Sequence, residues 1–124
     1  MRLYEILNEM ITSPPTKTGL STPVWISDTG GRHGPRIKVS NNIRMQRGSN
    51  TFSVSISKTP KIVDGISHLS QKEINNIYKW VILNYDMLMS IYNAFKTRSY
   101  ITVPDKNIII DPNFAFNNLL TPIK

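Results

Sequence analysis

Cysteine is absent from this 124-residue chain, and histidine occurs only twice. The absence of cysteine excludes disulfides and thiolate catalysis, and two histidines are too few for a structural zinc site of the usual Cys/His type. No apolar run approaches the roughly 18 residues that a membrane-spanning helix needs, and the N-terminus lacks the apolar core of a secretory signal. We therefore expect a protein of the reduced cytoplasm, with no metal, no cofactor and no membrane partner.

Length and composition predict a single domain. A hydrophobic content of 40% is ordinary for a soluble fold, and a chain of this size buries one core. The pattern divides the chain into an N-terminal helix and proline-rich strap (1–23), a sheet-plus-helix core (24–96) and a C-terminal extension (97–124).

Acidic residues are missing from a long internal stretch. Between Asp28 and Asp64 there is none, whereas seven basic residues occur there: Arg32, Arg36, Lys38, Arg44, Arg47, Lys58 and Lys61. Outside this stretch eight basic residues balance eight acidic ones, so the net charge of +7 lies within residues 29–63. Such a segment attracts polyanions, although its charge says nothing about the fold.

The same stretch has the alternation of an antiparallel sheet. After the apolar segment Val24–Ile26, apolar and polar residues alternate in three successive segments that are separated by turn residues. The predicted inward residues are Ile37, Val39, Ile43, Met45, Phe52, Val54 and Ile56. The predicted outward residues are Arg36, Lys38, Arg44, Gln46, Ser53, Ser55 and Ser57. The pattern predicts a meander with one solvent-exposed face, to which Lys61–Val63 adds a short strand.

One long helix is predicted from Ser70 to Lys96. Ser70 and Glu73 have the spacing of a capping box, and two apolar stripes follow at helical spacing. The first stripe predicts packing on the sheet and contains Ile74, Ile77, Tyr78, Val81, Tyr85, Leu88, Tyr92 and Phe95. The second stripe indicates either a protein interface or burial beneath the terminal segments, and it contains Trp80, Leu83, Met87 and Ile91.

The two ends of the chain add shorter elements. Met1–Ile11 has the spacing of a short amphipathic helix, and the proline-rich segment Thr12–Pro23 is typical of a surface strap. Near the C-terminus, Ile101–Val103 and Ile108–Ile110 predict a hairpin, and Asp111-Pro112 predicts the start of a final helix. The predicted fold class is α+β: a small antiparallel sheet packed against one long helix, with short terminal helices.

Three short motifs stand within about residues 24–96. Gly34–Val39 has the sequence Gly-Pro-Arg-Ile-Lys-Val, Gly65–Ser67 is followed by Leu69-Ser70, and the predicted helix ends with Tyr92–Phe95. These motifs resemble a family of small uncharacterised bacterial domains encoded in operons like those of toxin–antitoxin pairs. That family has a strand reading Pro-Pro-His-Val-His-Val.

The two family histidines correspond to Arg36 and Lys38 in this chain. Neither replacement binds a metal or titrates near neutral pH, so a metal or acid–base role does not transfer. Permanent positive charge remains at both outward positions, which favours phosphate binding over catalysis.

Residues 2–9 have the sequence Arg-Leu-Tyr-Glu-Ile-Leu-Asn-Glu. They resemble the capsid-targeting peptides of tailed bacteriophage internal proteins, which are short amphipathic helices cut after a Leu-x-Glu sequence. Here Leu7-Asn8-Glu9 fits that sequence. The resemblance implies a bacteriophage or mobile-element origin, with the host cytoplasm or the virion as the location.

The predicted binding site is the basic face of the sheet. Arg36, Lys38 and Arg44 are its expected centre and Arg32 and Arg47 its flanks, because lysine and arginine contacts to phosphates supply most non-specific affinity for nucleic acids. The same charges are also compatible with an acidic protein partner, or with a solvated surface that binds nothing anionic.

Other candidate sites have simpler interpretations. Trp25 could stack on bases, but core packing is the more ordinary role. Gly30–Gly34 precedes a strand and not a helix, which favours a glycine-rich turn over a phosphate-binding loop. His33 and His68 would be the acid and base of a metal-independent ribonuclease toxin if the fold brought them together. Aspartates that could hold Mg²⁺ all stand at turns, where aspartate is expected anyway.

We therefore expect a non-enzymatic basic module that binds nucleic acid or another phosphate-rich polyanion. The alternative is a structural subunit of a virion or other large assembly. Such a subunit would use the proline-rich strap and both termini for protein contacts, and its charge would lie against packaged nucleic acid or an acidic neighbour.

Overall fold

The computed structural model describes residues 10–13, 18–27, 34–41, 50–97, 99–103 and 108–123. Five strands form an antiparallel meander in which spatial order follows chain order. They are β1 (Met10–Ser13), β2 (Val24–Ser27), β3 (Arg36–Ser40), β4 (Thr51–Ser55) and β5 (Ile62–Gly65). An antiparallel sheet and the α+β class are therefore confirmed. The predicted strand order is corrected at one point, because β3 pairs directly with β4 and no third strand separates them. The predicted strand segment at Ile43 and Met45 lies outside the described residues.

The predicted single helix is wrong in one respect, because two helices occupy the segment. They are α1 (Gln71–Leu83) and α2 (Tyr85–Thr97), which meet at Asn84. Asparagine is a poor helix former because its side chain competes for backbone groups. Here its Nδ2 donates to the carbonyl of Trp80 at 3.0 Å.

The capping box at the start of α1 is confirmed. The backbone N–H of Glu73 donates to Ser70 Oγ at 3.2 Å, and the backbone N–H of Ser70 donates to Glu73 Oε1 at 3.3 Å. Ser21, on the segment before β2, also donates its hydroxyl to the Glu73 carboxylate. These bonds hold the pKa of Glu73 below its ordinary value, with the Ser21 hydroxyl as the largest cause.

The N-terminal prediction is corrected where the structure describes it. Met10 and Ile11 belong to β1 and not to a helix, and Thr12 and Ser13 continue that strand instead of forming a strap. Ile11 pairs with Ile26, so the sheet template outweighs the weak helical periodicity of a short segment. The predicted helix over residues 1–9 lies outside the described residues.

The C-terminal predictions are confirmed. β6 (Ile101–Val103) and β7 (Ile108–Ile110) form a separate two-stranded antiparallel sheet. The final helix, α3 (Pro112–Asn118), begins at the predicted proline.

A single apolar cluster joins the helices to one face of the five-stranded sheet. That face contributes Val24, Ile26, Ile37, Val39, Phe52 and Val54, and the helices contribute Ile77, Trp80, Val81, Leu88, Ile91, Tyr92, Phe95, Ala115 and Phe116. Arg36 and Lys38 lie on the opposite face of the sheet. Among the described residues, no helix is long and apolar enough to cross a membrane.

Candidate nucleic-acid interface

Arg36 and Lys38 lie on one face of β3. They alternate with Ile37 and Val39, which are fully buried in the core. Arg36 pairs with Ser55 and Lys38 pairs with Ser53 on β4. Residues directly opposite in an antiparallel pair share a face, so this basic face continues onto β4.

Lys61 adds a third positive charge to this face. The backbone N–H of Ser55 donates to the Lys61 carbonyl at 2.9 Å, and the Lys61 N–H donates to Ser55 Oγ at 3.1 Å. Lys61 is therefore the neighbour of Ser55 on the side away from Arg36, and its side chain is exposed. The charge pattern of the sequence included Lys61 but did not assign it to the site, because its register depends on the β4–β5 pairing.

The basic face is partly covered, which corrects the expectation of a fully solvated surface. Ser53 was predicted to point outward, yet only 3% of it is exposed, and Ser40 is buried on the same face. Trp25 pairs with Lys38 and is 2% exposed. Burial of this indole was the simpler prediction, but it lies on the face opposite the main core. Trp25 therefore offers no stacking platform for bases in the free protein.

Arg36 has a structural contact as well as a charge. Its Nη1 donates to the carbonyl of Gly34 at 3.3 Å, and its side chain is half-buried. Gly34 has a φ of 69°, a conformation that glycine adopts without strain. Arg36 thus holds the backbone that enters β3, and substitution of it would alter local structure and charge together.

Asp64 is the one acidic residue on the described part of this face. It pairs with Ser53 on β5 and is exposed. Asp64 and Lys38 both pair with Ser53, from opposite sides. The backbones of Asp64 and Lys38 are therefore two strand spacings apart, roughly 10 Å. At that distance exposed charges are largely screened at physiological salt. Asp64 therefore reduces the positive potential near β5 but lies too far from Lys38 to neutralise it.

Lys58 lies on the helical side of the molecule and not on this face. Its Nζ is 5.6 Å from the centroid of the Tyr85 ring on α2. The described basic residues between Asp28 and Asp64 therefore lie on two sides of the fold. The remaining predicted binding residues, Arg32, Arg44 and Arg47, lie outside the described residues.

Asn41 fixes the loop that carries His68, a role that its predicted place in an Asn41-Asn42 turn did not indicate. Its Nδ2 donates to the Ile66 carbonyl at 2.9 Å and to Asn50 Oδ1 at 3.1 Å. Its Oδ1 accepts the His68 backbone N–H at 2.7 Å. The backbone of His68 is thereby held at the end of the sheet, and its side chain is exposed. His33 lies outside the described residues, so the predicted pairing of the two histidines stays a prediction.

The predicted protein interface on the helices requires correction. Trp80 and Ile91 are fully buried inside the chain, so neither is available to a partner. Leu83 is 55% exposed, and Met87 is half-buried. Both line a cleft of about 470 Å³ at the junction of α1 and α2. Exposed Ile82 and Leu119 also line this cleft, and neither belonged to the predicted stripe.

Comparisons with known proteins add no assignment. No protein-family model, no curated protein and no solved structure matches the chain. Within the described residues, no group of three or more histidine, aspartate or glutamate side chains could hold a metal ion.

Proposed function

We propose that this protein is a non-enzymatic basic module, of bacteriophage or mobile-element origin, that binds nucleic acid or a similar phosphate-rich polyanion. Arg36, Lys38 and Lys61 would make the contacts, and Arg32, Arg44 and Arg47 would extend them. The observation that supports this proposal is the position of Arg36 and Lys38 on one face of β3, with Lys61 across Ser55 on the same face.

The spacing on this face suits a phosphate backbone. Residues two apart on a strand are separated by roughly 6.7 Å. Long, flexible lysine and arginine side chains at that spacing can reach neighbouring phosphates of one strand. Phosphate contacts of this kind position a protein without reading sequence. Because Trp25 is buried, we propose non-specific binding to the backbone.

A salt titration of the wild-type protein tests this proposal. Fluorescence anisotropy with a labelled duplex, a labelled single-stranded RNA and inorganic polyphosphate would compare the polyanions directly. The logarithm of the association constant should fall linearly with the logarithm of the salt concentration, by about 0.7–0.9 for each phosphate neutralised. Affinity that does not change with salt, or no binding at low salt, would overturn the proposal.

A structural subunit of a virion or other large assembly is the second candidate. It is favoured by the exposed side chains of Ile82, Leu83 and Leu119 around the cleft between the helices. Contiguous apolar groups at a cleft are typical of protein contacts. Such a subunit should be found in purified particles from its natural source and should bind free nucleic acid weakly, which distinguishes it from the first candidate.

A further inference from the structure

The five-stranded sheet is protected at its β5 edge. At β5 the register shifts between Ser53 and Val54, and Lys61 and Asp64 are exposed beside the irregularity. Bulges and charges of this kind discourage the pairing of an edge strand with another chain. At the other edge, α3 lies against β1.

The C-terminal hairpin leaves one edge without such protection. β6 lies against α2 and buries Ile101, whereas β7 has no strand on its outer side within the described residues. The three residues of β7 are Ile108, Ile109 and Ile110, so the strand has no charge, no proline and no bulge. An apolar edge strand of this kind presents free backbone groups to another strand.

The exposed face of the hairpin is also apolar. Ile109 is 67% exposed, and Tyr100, which immediately precedes β6, is exposed as well. Ile109 pairs with Thr102, so Tyr100 is the diagonal neighbour of Ile109 on the same face. A two-stranded sheet of three-residue strands is marginal alone, and additional strands would stabilise it.

We infer that β7 is a strand-addition edge for a second copy of this chain. Antiparallel pairing centred on Ile109 would place Ile108 opposite Ile110 of the second copy, and Ile110 opposite Ile108. The two-fold symmetry that most homodimers have would set isoleucine opposite isoleucine at every position, so no like charges and no charge–apolar pairs would meet. The product is a four-stranded sheet in which β7 of each copy is central. This inference goes beyond polyanion binding and does not use the basic face.

The predicted association is weak. Two three-residue strands bury far less than the roughly 1,200 Å² of a stable protein interface. A dissociation constant in the roughly micromolar to millimolar range is therefore expected. The dimer would form where the local concentration is high, as on a shared polyanion or inside an assembly.

Single-cysteine variants test the geometry, because the natural chain has no cysteine. Opposed residues in an antiparallel pair have Cα atoms about 4.5–5.5 Å apart, within the range that a disulfide spans. Ile109→Cys should therefore form a disulfide-linked dimer under mild oxidation. Ile66→Cys is the matched control, since Ile66 is 74% exposed on the loop before α1. Equal rates of cross-linking in the two variants would overturn the inference.

Sedimentation velocity over a concentration series provides the second test. The wild type and Ile66→Lys should associate reversibly as concentration rises. Ile109→Lys should remain monomeric, because pairing centred on residue 109 would set two lysines directly opposite each other and like charges destabilise such a pair. A monomeric wild type, or association that persists in Ile109→Lys, would refute the inference. Polyanion affinity should be measured at dilution, where all three proteins are monomers, and should be the same for Ile109→Lys and Ile66→Lys. Failure of the strand-addition inference can therefore be distinguished from failure of the proposed polyanion binding.

Discussion

Asn84 joins the break between α1 and α2 to the C-terminal segment, and its removal should destabilise the whole domain. Its Nδ2 donates to the Thr121 carbonyl at 2.9 Å, and its Oδ1 accepts the Thr121 backbone N–H at 2.6 Å. The same Nδ2 donates to the carbonyl of Trp80. Asn84 is buried, so water replaces these bonds poorly.

The cost of Asn84→Ala follows from the groups that lose a partner. In Asn84→Ala the Trp80 carbonyl still accepts a hydrogen bond from the backbone N–H of residue 84, at 3.1 Å. The groups that lose their hydrogen-bond partner are therefore the N–H and C=O of Thr121. An unsatisfied buried group costs about 1–3 kcal/mol, and partial solvation of Thr121 favours the lower end of that range for each. The free energy of unfolding should therefore fall by about 2 kcal/mol.

Urea denaturation followed by tryptophan fluorescence measures this change, because both Trp25 and Trp80 are buried in the folded state. Asn93→Ala is the matched control, since Asn93 is exposed on α2. It should change the free energy of unfolding by no more than about 0.5 kcal/mol. If Asn84→Ala and Asn93→Ala had equal midpoints, the proposed role of Asn84 would be refuted.

Two further predictions concern backbone space and pH. Gly19→Ala should lower the free energy of unfolding well beyond the roughly 1–2 kcal/mol expected for Gly34→Ala, as measured by urea denaturation. Both glycines have positive φ, but a Cβ at Gly19 would lie 2.0 Å from the Ile123 carbonyl oxygen, whereas a Cβ at Gly34 meets nothing within 4 Å. Equal losses of unfolding free energy in the two variants would contradict the steric argument. Because the folded-state pKa of Glu73 is lowered, its stabilising contribution should be present above the ordinary value of 4.5 and lost as pH falls through the lowered pKa. Thermal melts should show a weaker pH dependence in this acid range for Glu73→Gln and for Ser21→Ala, and an unchanged profile would contradict the assignment.

Local signals in the sequence were sufficient for most of the described elements. Alternation at Ile37 and Val39 predicted β3 because a half-buried strand needs a period of two. The Ser70–Glu73 capping box predicted the start of α1 because it satisfies orphan backbone donors locally. In both cases neighbouring residues alone determine the structure.

The features that sequence reasoning missed depend on contacts distant in the chain. The role of Asn84 requires Thr121, and the burial of Ser53 requires cover on the second face of the sheet. Periodicity does not reveal either contact. The predicted interface failed at Trp80 because a stripe on a helix shows that a residue is apolar and not what covers it.

The basic face of the sheet is the central claim, and paired charge removal tests it most directly. Lys38→Gln with Lys61→Gln removes two charges from this face, whereas Lys72→Gln with Lys79→Gln removes two exposed charges from α1, on the other side of the sheet. Both double variants lower the net charge of the protein equally. In a salt titration with a duplex of about 20 base pairs, the first should reduce the slope of log K against log salt by about 1 per residue and weaken binding, and the second should leave both close to wild type. Equal losses in the two double variants would show that net charge alone governs binding and would contradict the account.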